Sequence, residues 1–364
     1  MNFSSGNSTP RLLLFVLSLA LLLFAYALPS SQALSPSSRI TWNGGSYFFY
    51  GANLPWVNWG TDFGGGASGG GVSSASSQAM LTQTFSQAQA AGMHVIRWWT
   101  FEGSTETWHP YWITRDSSNR PIGINPAVYQ DFDAALALAN KYDLYFDFCL
   151  FASASDFPST WLSDPTQRQM LANTLGQLFA HYKGNPRILS WECFNEPEWD
   201  IQSGKITQAN CVATGAAIAA AVHKNCTAYA TVGPIYYSYC SIWKGSGMDF
   251  YAPHWYDDMT WGSGMNAGAT NYSQMRTAYG IDAPVVIGEC ESENADNSAT
   301  NRLQTLYTEG YAGAWPWSLL PSQTGDGLYI NMSAATTFSK LHTDLGPRTG
   351  TGGIVKRGPW ATRR

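Results

Sequence analysis

Between Ser190 and Asp200 the chain reads SWECFNEPEWD, which sets three carboxylates, Glu192, Glu196 and Glu198, among aromatics and a thiol. A buried strand that served packing alone would carry Val, Ile and Leu there. A further carboxylate, Glu289, closes the apolar run PVVIGE at 284 to 289. Two carboxylates brought to one cleft can cleave a glycosidic bond, one protonating the leaving oxygen while the other attacks the sugar or activates water. Metal-dependent hydrolysis is the competing chemistry. It would need additional His or Asp at ligand spacing beside the glutamates, or a CxxC or His/Cys cluster, and the chain carries neither. No metal and no other cofactor is expected.

For Glu196 and Glu289 to meet, the chain must place them at the same end of parallel strands. Eight runs of strand length alternate with helical stretches: SYFFYGAN (46 to 53), HVIRWW (94 to 99), LYFDFCL (144 to 150), ILSWECFNE (188 to 196), AYATVGP (228 to 234), DFYAPHWY (249 to 256), PVVIGE (284 to 289) and AGAWPWSL (312 to 319). Repeated βα units give a parallel sheet, and eight of them close a (β/α)8 TIM barrel of the α/β class, about 250 residues long before insertions. Helix starts are written as Asn125-Pro126 and Asp164-Pro165, a capping side chain before a Pro at the first helical position. Val128, Phe132, Leu136 and Ala139 follow at helical spacing. The barrel is assigned to 34–345. Its functional groups belong at the C-terminal ends of the strands, where Glu196 ends the fourth and Glu289 the seventh.

The chain's ends differ from this body. Residues 1–33 carry a lone Arg11, an apolar run from Leu12 to Leu28 and then small residues, the pattern of a secretory signal peptide cleaved after Ala27 or Ala33, or of an N-terminal anchor if left uncleaved. Either implies export. The stretch 346–364 is Gly-rich and basic and is expected to be a disordered tail. GGGASGGG at 64 to 71 lacks the Lys-Ser/Thr of a phosphate-binding loop and predicts a flexible connection. A net charge of −5, with no basic cluster before the final twenty residues, excludes a nucleic-acid surface. Six cysteines are compatible with disulfides outside the cytoplasm. Cys211 and Cys226 cannot pair with each other, because the Ala-rich helical stretch between them holds its ends roughly 20 Å apart. The chain is read as a monomer.

With these residues in order, the chain resembles clan A glycoside hydrolases of family five, the cellulase and mannanase group. The resemblance rests on Arg97 in VIRWW, Asn195 and Glu196 in FNEP, His254 and Tyr256 in HWY, Glu289 in VVIGE, and Trp317 in WPWSL, spread in order over most of the chain. It implies Glu196 as general acid and then base, its pKa raised by the negative Glu289, and Glu289 as nucleophile, kept ionised by Arg97 and Tyr256. It further implies Asn195 as donor to the sugar 2-hydroxyl, His254 within the carboxylate network, and Trp317 as the floor under the sugar. Strand alternation sends Trp315 to the same side, so both are candidate substrate-binding residues, with Trp317 nearer the strand end. Many family members carry a His after the third strand, and YFDFCLFASASDF has none, which implies altered substrate contacts rather than a different core reaction.

Glu192, four residues below Glu196, is expected to be a paired structural carboxylate, and Glu198 to meet solvent or a distal sugar. Glu291 and Glu293 are read as solvated charges at the rim. Trp56, Trp59, Trp98, Trp99, Trp199, Trp255, Trp261 and Trp315 follow strand ends and together suit the flat apolar faces of pyranose rings. The expectation is a secreted, retaining β-glycosidase acting on β-mannan or β-glucan as polysaccharide or oligosaccharide. A non-catalytic carbohydrate-binding barrel and a retaining transglycosylase are the alternatives on the same residues.

Overall fold

The computed structural model describes residues 39–65, 70–102, 112–153, 156–256, 270–293 and 298–347. The leader, the tail from 348 onward, the middle of the glycine loop and Trp261 lie outside them. A short hairpin, β1 (Ile40–Trp42) and β2 (Gly45–Tyr47), precedes the barrel strands β3 (Phe49–Leu54) and β4 (Val95–Phe101). A second hairpin follows, β5 (Ile113–Arg115) and β6 (Pro121–Ile124). The other barrel strands are β7 (Tyr145–Phe151), β8 (Ile188–Asn195), β9 (Tyr229–Gly233), β10 (His254–Trp255), β11 (Val286–Glu291) and β12 (Gly313–Trp317).

These eight barrel strands pair in parallel in the order β10-β11-β12-β3-β4-β7-β8-β9. The ring is closed between β9 and the chain leading into β10 by backbone hydrogen bonds, from Asp249 N–H to Ala230 O at 2.8 Å, from Ala252 N–H to Val232 O at 2.9 Å and from His254 N–H to Pro234 O at 3.0 Å. The chain therefore has the expected (β/α)8 fold. The first strand begins later than the sequence pattern suggests, at Phe49, because Ser46 and Tyr47 are used by the hairpin.

Sequence dictates the helices on the outside in the expected way. Asn125 accepts from Ala127 N–H ahead of the helix Pro126–Tyr142, and Asp164 accepts from Thr166 and Gln167 N–H ahead of Pro165–His181. The helix Pro126–Tyr142 buries Val128, Phe132, Leu136 and Ala139, one stripe at helical spacing, against the strands. It stops at Asp143, whose φ of 53° is a left-handed cap that Asp tolerates.

Inside the barrel, the lower layer is apolar. Phe49, Val95, Tyr145, Leu189, Tyr229, Val286 and Trp315 pack together there, and Ile40 and Trp42 of the hairpin join them as a plug. Trp42 meets Tyr145 edge-on at 6.0 Å and Tyr229 at 5.5 Å. Burying side chains such as Phe49 or Val95 contributes about 1.5–3 kcal/mol each, which makes this end a solid floor rather than a pore. The next layer toward the strand C-termini is polar, and parallel register sets its members side by side: Asn53 beside Arg97, Arg97 beside Asp147, and His254 beside Glu289.

The cysteines are core residues. Cys149, Cys193, Cys211 and Cys240 are buried free thiols, filling space as small apolar side chains rather than stapling the fold. Cys211 lies near the start of the helix Gln208–Asn225 and Cys226 caps its end, so the two stand at opposite ends of that helix, as the spacing requires.

Candidate active site

Arg97, fully buried in β4, organises the mouth of the barrel. Its guanidinium takes Glu192 in a bidentate grip, Nε to Oε2 at 2.9 Å and Nη2 to Oε1 at 2.6 Å. Nη1 donates to Asn53 Oδ1 at 3.0 Å and to Glu289 Oε1 at 2.5 Å, and Nη2 donates to Asn195 Oδ1 at 2.8 Å. A planar fork with five N–H groups can satisfy this many acceptors, whereas an ammonium could not. Glu192 is the structural partner that its place in the strand suggests. Gly233 leaves the room for it: a Cβ there would lie 2.6 Å from Glu192 Oε1 and 3.1 Å from Arg97 Nη2.

Asn53 was not marked by any sequence pattern beyond being a polar residue near the end of an apolar strand. It donates to Gly288 O at 2.9 Å and Trp315 O at 2.7 Å, tying β3 to the strands that carry Glu289 and Trp317.

Glu196 and Glu289 converge as predicted. Together with His254 they place one ligand-type atom each within 4.8 Å of one another. The same three groups could in principle hold a cation, but Arg97 already supplies a fixed positive charge 2.5 Å from Glu289, which repels a second one. Glu289 is 5% exposed, and its Oε2 accepts from Tyr256 Oη at 3.0 Å. Glu196 sits just past β8 at a φ of 41°, a left-handed conformation that a non-glycine residue holds at a cost, with its N–H fixed on Gly233 O at 2.7 Å. Its Oε1 pairs with His254 Nδ1 at 2.8 Å, and its Oε2 accepts from Trp199 Nε1 at 2.9 Å.

The electrostatics correct one expectation. Glu196 was expected to be raised by Glu289. Burial does push it up, but the hydrogen bond and charge of His254, the Trp199 N–H and the charge of Arg97 outweigh burial and hold it below its ordinary value. Burial raises Glu289, with the charge of Glu196 adding to it, against the pull of His254, Arg97 and Tyr256. His254 is lowered by burial but raised further by Glu289 and Glu196, and the net direction is up. The charges of Glu196, His254 and Glu289 each act on the others, so their titrations are linked.

Several aromatics form the wall of the cleft. Trp317 packs 5.7 Å from Trp99, Trp99 5.5 Å from Trp56, and Trp56 4.5 Å from Trp59, while Trp317 Nε1 donates to Asp326 Oδ2 at 2.6 Å. The Trp317–Ser318 peptide is cis. Trp315 is corrected as a substrate-binding residue. It is fully buried in the floor with its Nε1 on Phe49 O at 3.1 Å, one pleat repeat too deep to reach a ligand. Trp98 and Trp255 are likewise buried rather than at the rim, Trp98 against Phe63 and Phe85, and Trp255 under the Arg302 guanidinium.

The rim acids differ from expectation too. Glu198 is 1% exposed; its carboxylate accepts from Ile235 N–H at 2.9 Å and Trp243 Nε1 at 3.3 Å, and burial pushes its pKa up to about 7. It turns inward because the helix Glu198–Gln202 starts at once after Pro197, so no loop carries it outward. Glu291 pairs with Arg302 at 3.6 Å, and Glu293 accepts from Tyr329 Oη and Asn331 Nδ2.

No family model matches the chain. Among curated proteins it is 25% identical, over 331 residues, to the mannan endo-1,4-beta-mannosidase of Mytilus edulis, covering 77% of this chain and 86% of that protein. Among solved structures it is similar to the beta-1,4-D-mannanase of Cryptopygus antarcticus, with a TM-score of 0.67 and 19% identity over 87% of this chain and 97% of that one. It is also similar to the endo-1,4-beta-mannanase of Eisenia fetida, with a TM-score of 0.66 and 18% identity over 83% of this chain and 92% of that one. These likenesses agree with the resemblance to clan A glycoside hydrolases of family five.

Proposed function

We propose that this chain is a retaining β-glycosidase that hydrolyses β-mannan, with Glu289 as nucleophile and Glu196 as acid and base. The observation that carries the reading is the approach of the two carboxylates within 4.8 Å, each in its own environment. An inverting pair leaves about 6.5–9.5 Å for an intervening water, and a retaining pair stands about 5–5.5 Å apart. The 25% identity to a mannan endo-1,4-beta-mannosidase over 77% of the chain supports β-mannan over β-glucan.

The reaction follows from the contacts. Glu289, aimed by Arg97 and Tyr256, attacks the anomeric carbon while Glu196 gives its proton to the glycosidic oxygen, so the bond to the leaving sugar breaks as the covalent glycosyl-enzyme forms. Glu196, now ionised, takes a proton from water, whose oxygen displaces Glu289 from the sugar. The 2.8 Å contact with His254 fixes the orientation of the Glu196 carboxyl group. Asn195 Oδ1 is held by Arg97, which turns its NH2 group away from the guanidinium; among the described residues that group donates to Ala152 O at 3.3 Å, and its second N–H leaves donor capacity for the sugar 2-hydroxyl. Trp317 forms the floor beneath the sugar being attacked. The leader supports export, and the reading takes the exported chain as a monomer that needs no cofactor. Among the described residues no helix is long and apolar enough to cross a membrane.

The test separates the two glutamates. In Glu289→Gly, turnover on every β-mannoside should collapse and partly return with azide, which fits the vacated space and attacks the sugar. Glu196→Ala should retain the first step on activated aryl β-mannosides, whose leaving group needs little protonation. Identical behaviour of the two variants on such substrates would overturn the assignment.

A further inference from the structure

Beside Glu196 lies a residue whose contacts the reaction above leaves unused. Trp199 opens away from the barrel three residues after the glutamate, its backbone N–H closing a turn on Glu196 O at 3.2 Å. Its indole N–H meets Glu196 Oε2 at 2.9 Å, yet 45% of the residue is exposed. An indole can only donate, so this contact favours the ionised carboxylate or the carbonyl oxygen of the neutral acid, and leaves the other face of the carboxyl group to His254. The indole is thus fixed on the acid while much of its flat apolar face stays open beside it, the surface on which a pyranose ring stacks.

The layout fixes what that is. Trp317 ends β12 and Glu196 follows β8, strands that lie on opposite sides of the ring. The attacked sugar rests on the Trp317 side over Glu289, and the group that protonates the leaving oxygen marks the side from which the other half of the substrate departs. Trp199 stands on that side. We propose that Trp199 is a positioning residue for Glu196 and the platform for the sugar unit that leaves, its N–H holding the acid and its exposed face stacking on the pyranose ring. This rests on the β-glycosidase reading. The same platform receives an incoming sugar when the glycosyl-enzyme is attacked by an acceptor instead of water. The groups facing Glu196 are His254 from β10 and Tyr256 after it, Glu289 from β11, Arg97 from β4 and Glu198 from its own helix. Trp199 is itself uncharged, so its removal changes no charge among them.

Two variants divide the roles. Trp199→Phe keeps a ring and loses the N–H; the alkaline limb of kcat/KM should move up by about half a pH unit or more, because a donor to the ionised acid is gone. In the same variant the KM for β-manno-oligosaccharides should stay near that of the parent. Trp199→Ala should move the limb equally, and in addition raise that KM and lower several-fold the fraction of glycosyl-enzyme captured by a sugar acceptor. Titration of the Glu196 carboxyl by NMR in carboxyl-13C-glutamate protein, assigned with Glu196→Gln, reads the contact without turnover and should show the same upward shift in Trp199→Phe. An unmoved limb and titration in Trp199→Phe would overturn the positioning role, and an unchanged acceptor fraction in Trp199→Ala would overturn the platform. A parent protein inert toward β-mannan and β-glucan would sink the glycosidase reading and the platform with it, while the titration would still decide whether the N–H holds Glu196.

Discussion

Replacing Arg97 by Met tests the argument that one buried cation holds the mouth of the barrel together. Met replaces the aliphatic stem but stops short of the guanidinium, and five side-chain hydrogen bonds disappear at once. Glu192, fully buried, loses both bonds of its bidentate pair, and Glu289 loses its 2.5 Å partner. Removing one side of a buried ion pair costs about 3–5 kcal/mol, because the other side is left charged without compensation. Glu289, which burial already raises, then holds its proton more tightly: with Arg97 gone its folded-state pKa rises further above the unfolded value of about 4.3, so between the two values the folded state binds more protons than the unfolded state, and stability falls as pH rises through that window. The destabilisation should therefore be near its full 3–5 kcal/mol at pH 7 and clearly smaller near pH 4.5. Urea denaturation of parent and variant at both pH values measures it. A loss below about 1 kcal/mol at pH 7, the scale of an exposed ion pair, or an equal loss at both pH values, would refute the buried-charge account.

Glu198→Ala should destabilise by about 1–3 kcal/mol, since Ile235 N–H and the Trp243 indole are left unpaired, while kcat/KM on an activated aryl β-mannoside changes little; a large activity loss without a stability loss would return Glu198 to the substrate. Because its folded pKa is raised to about 7, ionising Glu198 works against the fold, and this contribution to stability falls as pH rises from the ordinary glutamate range through about 7, a slope that Glu198→Gln should remove in denaturation measured from pH 5 to 8. Trp315→Ala should cost about 3–5 kcal/mol in denaturation, as a buried aromatic does, whereas Trp317→Ala should lower kcat/KM on oligosaccharides with a smaller loss of stability; the reverse pattern would exchange their roles.

The amino-acid sequence by itself determined the barrel, because its evidence is local. Strand-length apolar runs, Asn-Pro and Asp-Pro helix starts, and carboxylates at strand C-terminal ends need only neighbours in the chain to be read, and they led to Glu196 and Glu289 at one mouth; Arg97, Asn195, His254, Tyr256 and Trp317 were implied by the resemblance to family-five glycoside hydrolases. Depth and direction were decided by the tertiary structure. Trp315 and Trp317 obey the same alternation, yet one pleat repeat separates a floor residue from the cleft. Glu198 looked like a loop charge until a helix starting directly after Pro197 turned it into the core. The protonation balance of Glu196 was least legible of all, because burial, His254, Trp199 and Arg97 reach it from separate segments of the chain, and the sign of their sum depends on distances that only the closed barrel sets.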